Sequence, residues 1–169
     1  MKNHRSFWLF GIALLLAPAI GFAAETYDCR VSPKFSSRES LAKAVTDALG
    51  QAKKRVLLAL YGFNNNELAD ELAKLAKKGV AVHLKVDNAK GAEKKTGAII
   101  GRLKAAGVEV QSVAPDGRNH NKFAVIDGAI VLTGSYNWTA KAESNWENLL
   151  VLDCAELAKS YESEWEKIR

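Results

Sequence analysis

Apolar residues recur along this chain in two rhythms. "SSRESLAKAVTDALGQA" (36–52) places Leu41, Val45 and Leu49 four apart, as on one face of a helix. A capping-box pattern from Ser36 to Glu39 precedes them. "RVLLALY" (55–61) is a nearly unbroken apolar run, as in a strand covered on both faces. "NNNELADELAKLAKKG" returns to the helical period, with Asn65 or Asn66 as cap, a stripe of Leu68, Leu72 and Leu75, and Gly79 at its end. "VAVHLKVD" (80–87) alternates strictly: Val80, Val82, Leu84 and Val86 face one side, His83, Lys85 and Asp87 the other. "AEKKTGAIIGRLKAAG" reads as a third helix and "VEVQSVA" as a strand. "ENLLVLD" (147–153) is another apolar strand, and a last helix carries Leu157, Tyr161, Trp165 and Ile168 on one stripe. "YDCRV" (27–31) is a short strand ahead of the first helix.

The predicted order is β-α-β-α-β-α-β, three further strands, then α. That order means an α/β fold: a mixed β-sheet covered by helices on both faces. No repeat, low-complexity tract or linker divides it. "DNAKGAEKKTG" (87–97) is a candidate mobile loop on composition.

The first residues follow a different rule. Lys2 and Arg5 precede an uncharged apolar run from Phe7 to Phe22, and Gly21 and Ala23 have signal-peptidase spacing. Residues 1–23 are expected to be a secretory signal peptide, leaving a single domain over 24–169 in the periplasm or outside the cell. The alternative is a retained anchor, for which a run of 16 residues containing Pro18 is short against the roughly 20 a span needs. Without Lys2 and Arg5 there are 22 basic and 19 acidic residues, a net charge of +3. That excess permits an anionic partner without demanding one. Two cysteines in an oxidising compartment usually pair, so Cys29 and Cys154 are expected to form a disulfide; two buried thiols are the alternative.

The chemistry gathers in "HNKFAVIDGAIVLTGSYNW" (120–138). Asp127-Gly128 between two apolar runs signals a two-residue type I′ hairpin turn. In that register His120 faces Ser135 and Lys122 faces Thr133. Arg118, His120 and Lys122 share one face by their spacing of two. Two cations, an imidazole, the Ser135 hydroxyl and the nearby Asn137 amide then meet at the open end, a set of donors suited to a phosphate. Asp127 is explained mainly by the turn. Tyr136 and Trp138 could stack on bases or simply pack. His83 fits a polar strand face. Two histidines after the leader, with no H-E-x-x-H or C-x-x-C, support zinc poorly. A carboxylate-bound magnesium stays open, though no acidic pair is clustered near His120. Ser135 in "TGSYN" lacks the G-x-S-x-G elbow of a hydrolase nucleophile.

His120-x-Lys122-x4-Asp127, followed by Gly134-Ser135-x-Asn137 and then by "WENLLVL", resembles the H-x-K-x4-D signature of the phospholipase D superfamily. The likeness is nearest to the small secreted bacterial endonucleases with one motif per chain. It implies a metal-independent phosphodiesterase that needs no cofactor. One motif histidine forms a phosphohistidine; a second protonates the leaving oxygen and then activates water. His120 is nucleophile or acid, and Lys122, Ser135 and Asn137 hold phosphate oxygens, with Arg118 beside them. Glu147 accepts a hydrogen bond from the imidazole. A single motif implies a homodimer with the site on its two-fold axis. The expected substrate is DNA, and RNA is not excluded. Lys53, Lys54, Lys94, Lys95, Arg118 and Lys141 are candidates for backbone contacts that read no sequence. A phospholipid substrate and a non-catalytic nucleic-acid-binding module are the alternatives.

Overall fold

The computed structural model describes residues 26–169, and the leader expectation lies outside them. Seven strands form one mixed sheet: β1 (Arg30–Phe35), β2 (Arg55–Leu60), β3 (Ala81–Asp87), β4 (Glu109–Val113), β5 (Lys122–Ile126), β6 (Ile130–Gly134) and β7 (Asn148–Asp153). Their spatial order is β1-β7-β6-β5-β2-β3-β4. β2, β3 and β4 are parallel; β5, β6, β7 and β1 extend the sheet antiparallel from β2. The helices are α1 (Leu41–Leu49), α2 (Asn66–Lys77), α3 (Asn88–Gly91), α4 (Lys94–Ala105) and α5 (Ala155–Lys167).

The α/β expectation holds, and the two apolar faces of β2 show why. Val56, Leu58 and Leu60 join the stripes of α1, α2 and α4 in the larger core. Leu57 and Ala59 face a smaller core under α5, with Leu157, Tyr161 and Trp165 packed on it. Each fully buried Leu contributes about 1.5–3 kcal/mol, so an unbroken apolar strand is stable only between two such layers. Asn65 caps α2, its Oδ1 accepting from the Glu67 and Leu68 amides at 2.9 and 3.3 Å. Cys29 and Cys154 form the expected disulfide, tying the start of β1 to the start of α5.

Four expectations are corrected. The first strand lies at Arg30–Phe35, because its antiparallel register with β7 runs from Arg30 opposite Asp153 to Phe35 opposite Asn148. Ser36 does not cap α1. Its hydroxyl donates to the Asn145 carbonyl and accepts from the Glu147 amide, while Ser40 caps the helix by accepting from the Lys43 amide. The 87–97 segment is largely helical: Asp87 accepts from the Lys90 amide and starts α3, and α4 begins at Lys94. The face of β3 carrying His83, Lys85 and Asp87 is not a solvated one. Lys85 is buried, donating to the Trp165 and Ile168 carbonyls with its ammonium 3.9 Å from the Trp165 ring. Burial pulls its pKa below the ordinary lysine value, against the pull of Glu166 upward.

Candidate active site

The hairpin of β5 and β6 carries the motif. Its turn is of the expected kind, with positive φ at both Asp127 and Gly128 and the Ala129 amide donating to the Ile126 carbonyl. The register beyond the turn differs by one. Ile126 pairs with Ile130 and Phe123 with Thr133, leaving Ala129 outside the ladder. The Ala129 carbonyl is instead taken by the Cys154 amide, so the start of α5 claims the residue the hairpin would have paired. The ladder ends at Phe123–Thr133, so Thr133 faces Phe123 rather than Lys122, and His120 lies beyond the ladder. The expected pairing of His120 with Ser135 does not form. A side chain on Gly134 would overlap the Asn148 carbonyl, so glycine here lets β7 close on β6.

Asp127 belongs to the architecture. Its carboxylate accepts from the backbone amides of Lys53, Lys54 and Arg55, each at 2.8 Å. Burial works to raise its pKa, but the three amides prevail and hold it below the ordinary carboxylate range. The motif Asp and Gly128 thus anchor the turn to the segment leading into β2, at the end of the hairpin away from His120.

At the other end, His120 and Lys122 are in contact. The Lys122 ammonium donates to the His120 carbonyl at 2.8 Å and lies 3.2 Å from its Nδ1. A lysine ammonium offers only donors, so it can hold Nδ1 only where that nitrogen accepts. Burial lowers the Lys122 pKa, with Glu147 pulling the other way. Residues 118–121 are not strand, and the His120 amide donates to the Arg118 carbonyl, so the spacing of two does not align Arg118 with the others. Arg118 reaches the site by another route: it donates to the Tyr61 hydroxyl at 2.8 Å, and the Tyr61 ring lies 4.4 Å from the imidazole.

Tyr61 is one residue beside the motif that the sequence reading missed. Its ring also has the Lys122 and Lys90 ammoniums 5.4 Å from its centre. It stands just past β2, where the apolar run ends, and that position was its only signal. Asn119 was missed as well. It is 2% exposed, its amide donates to Asp87, and its side chain reaches toward the Leu60 and Lys85 carbonyls. Asp87 and Asn119 therefore fix the loop that presents His120.

Glu147 does not meet the imidazole of its own chain. It accepts from the Ser135 hydroxyl on one oxygen and from the Asn145 amide, at 3.1 Å, on the other. Ser135 also accepts from the Asn148 backbone amide at 3.0 Å, which ties β7 to the site. Asn137 lines a groove with Tyr61, and its buried Oδ1 has no hydrogen-bond partner among the described residues. Tyr136 and Trp138 are buried and pack, so neither is available to stack on a base. His83 is held by Glu109 at 2.9 Å and the edge of Trp165. Among the described residues, no three His, Cys, Asp or Glu side chains converge as metal ligands.

Residues 45–169 match the family described as cardiolipin synthase, PLD-like domain. The chain belongs to this phospholipase D-like family. It is 40% identical to a mitochondrial cardiolipin hydrolase of Xenopus laevis over 118 residues, 69% of this chain and 55% of the relative. It is 31% identical to a phospholipase D of Rickettsia bellii over 80% of this chain and 67% of the relative. The chain spans about half the length of the cardiolipin hydrolase it matches. In fold it is similar to Nuc from Salmonella typhimurium, a phospholipase D family member, with a TM-score of 0.79, 24% identity, and coverage of 84% of this chain and 97% of the other.

Proposed function

We propose that this PLD-like chain is a metal-independent phosphodiesterase that cleaves DNA without sequence preference. The observation that carries the reading is the exposed pairing of His120 with Lys122, ringed by Tyr61 and Arg118. An imidazole set among cations is poised for an anionic substrate, and the Lys122 ammonium answers to phosphate as readily as to Nδ1. The reaction uses two copies of His120, one from each subunit of a homodimer. In the first step, one imidazole nitrogen forms a bond to phosphorus. The ester P–O bond breaks, and the leaving oxygen takes a proton from the second imidazole. In the second step that imidazole takes a proton from water, the water oxygen bonds to phosphorus, and the N–P bond breaks. Lys122, Ser135, Asn137 and Arg118 hold the phosphate oxygens. The proton donor is the second His120 as imidazolium, so giving its proton to the leaving oxygen leaves a neutral imidazole that can take one from water; a phosphate that draws Lys122 off Nδ1 frees the attacking ring.

The Cys29–Cys154 disulfide supports a periplasmic or secreted location, since such bonds persist in oxidising compartments. A phospholipid diester is the second reading, favoured by the 40% identity to a protein named as a cardiolipin hydrolase. The test is cleavage of plasmid and single-stranded DNA, beside cardiolipin vesicles, in EDTA. Cleavage of DNA that survives EDTA and disappears in His120→Ala is the expected result. Hydrolysis of vesicles with inert DNA would establish the second reading, and activity abolished by EDTA would remove the metal-free mechanism.

A further inference from the structure

Beside the reaction centre a groove of about 340 Å³ runs between the β2–α2 loop, α3 and the short 3₁₀ turn at Ala140–Ser144. It is lined by Tyr61, Lys90, Asn137, Thr139, Lys141 and Asn145, among others. Two of these tie it to the site already described. Tyr61 has one side of its ring near His120, and Asn137 is a motif residue. Its remaining lining combines two lysines, amides and hydroxyls with the Glu93 carboxylate and the apolar Phe63 and Ala142. Lys141 makes no ion pair among the described residues, whereas Lys90 is paired with Glu93 at 2.7 Å. The Lys90 ammonium also lies 5.4 Å from the Tyr61 ring centre.

We infer that this groove is a subsite for the nucleotide next to the scissile phosphodiester, with Lys90 and Lys141 contacting that nucleotide's outer phosphate. The inference rests on the DNA-cleavage reading above and adds to it a flanking subsite with two named contacts. The volume is at the small end of ligand pockets, suited to one nucleotide-sized group. The lining decides what kind of group. An acyl chain would have to desolvate two ammoniums and several amides with nothing to satisfy them. A sugar-phosphate satisfies them: its anionic oxygens take the lysines, and its hydroxyls and base take the Asn and Thr side chains. Lys141 gains a counter-ion where it has none among the described residues, and Lys90 turns from Glu93, which lines the same groove, to the phosphate.

The test compares chromogenic diesters differing by one remote phosphate: thymidine 5′-(4-nitrophenyl phosphate) with and without a 3′-phosphate, and the 3′-diester with and without a 5′-phosphate. The readout is the ratio of kcat/KM within each pair, with EDTA present. The parent protein is expected to favour the extra phosphate about tenfold in one pair, the worth of a charge-assisted hydrogen bond. Lys141→Ala and Lys90→Gln are each expected to lower that ratio, and the double variant to bring it near one. A parent ratio near one in both pairs overturns the subsite, as does a ratio unchanged in the double variant. Failure of the underlying reading looks different: none of the four diesters is hydrolysed, or His120→Ala hydrolyses them as well as the parent.

Discussion

The two ends of the β5–β6 hairpin carry one sequence signature and do opposite things with it. At the turn, Asp127 spends its carboxylate on three backbone amides. At the open end, the Lys122 ammonium rests on an imidazole nitrogen and a carbonyl, and Arg118 on a phenol. The first set is matched to its partners in charge and geometry, so nothing is left to offer a ligand. The second consists of cations with neutral partners. A phosphate would replace those partners with better ones. Spacing alone does not distinguish an anchoring residue from a reacting one; what distinguishes them is whether the charge is already answered.

The largest expected effect separates the ends by activity. His120→Ala should lower hydrolysis at least about 10⁴-fold, as loss of a nucleophile or its partner does elsewhere, while the thermal midpoint stays within a few degrees. A variant that kept activity would make the open end a binding surface instead. The next effect falls on the closed end. Cys154 lies beside the turn, its amide on Ala129, and its bond to Cys29 closes a loop spanning 125 positions. Replacing both cysteines with serine should cost about 4–5 kcal/mol in urea unfolding, by the chain-entropy argument. Asp127→Ala follows, at about 2–4 kcal/mol, since three amides lose a charged acceptor. Its folded fraction should keep the parent's kcat. A kcat loss matching His120→Ala would erase the distinction between the ends.

Much of this was legible beforehand, for identifiable reasons. The unbroken apolar run of β2 and the four-residue spacing in α1, α2 and α5 follow from burial, and burial leaves a periodic trace. Asp127-Gly128 announced its turn through the positive φ that both residues adopt. The register slipped by one because Ala129 is claimed from outside the hairpin, by Cys154, and no local rule reports a partner 25 positions away. Ser36 failed as a cap for the same reason: its hydroxyl is committed to Asn145 and Glu147, across the sheet. Tyr61 and Asn119 were hidden because each looks ordinary in its own segment. Only the antiparallel docking of β5 on β2 brings Tyr61 to His120. Glu147 shows the limit of resemblance. Its position was found from the motif, but its side-chain partners within the chain are Ser135 and Asn145.

The smallest effect divides the two ends by pH, and in opposite directions. Asp127 has a lowered folded pKa, so its contribution to stability is complete above the ordinary carboxylate value of about 3.9 and is lost as pH falls toward the folded value. Urea midpoints of the parent and Asp127→Asn should therefore differ at pH 6 and converge below about pH 4. Lys122 also has a lowered pKa, but it bears on activity from the alkaline side. In the proposed mechanism its cationic form holds phosphate, so kcat/KM should fall as pH rises through a value below the ordinary lysine value of about 10.4. Lys122→Arg keeps its charge at any accessible pH and should move that fall upward, even if the guanidinium lowers the maximum rate. An alkaline limb that stays in place in Lys122→Arg would assign it to another group. An acid limb in stability that survives in Asp127→Asn would do the same at the turn. If both shift as stated, one hairpin titrates as a fold at its closed end and as a site at its open one.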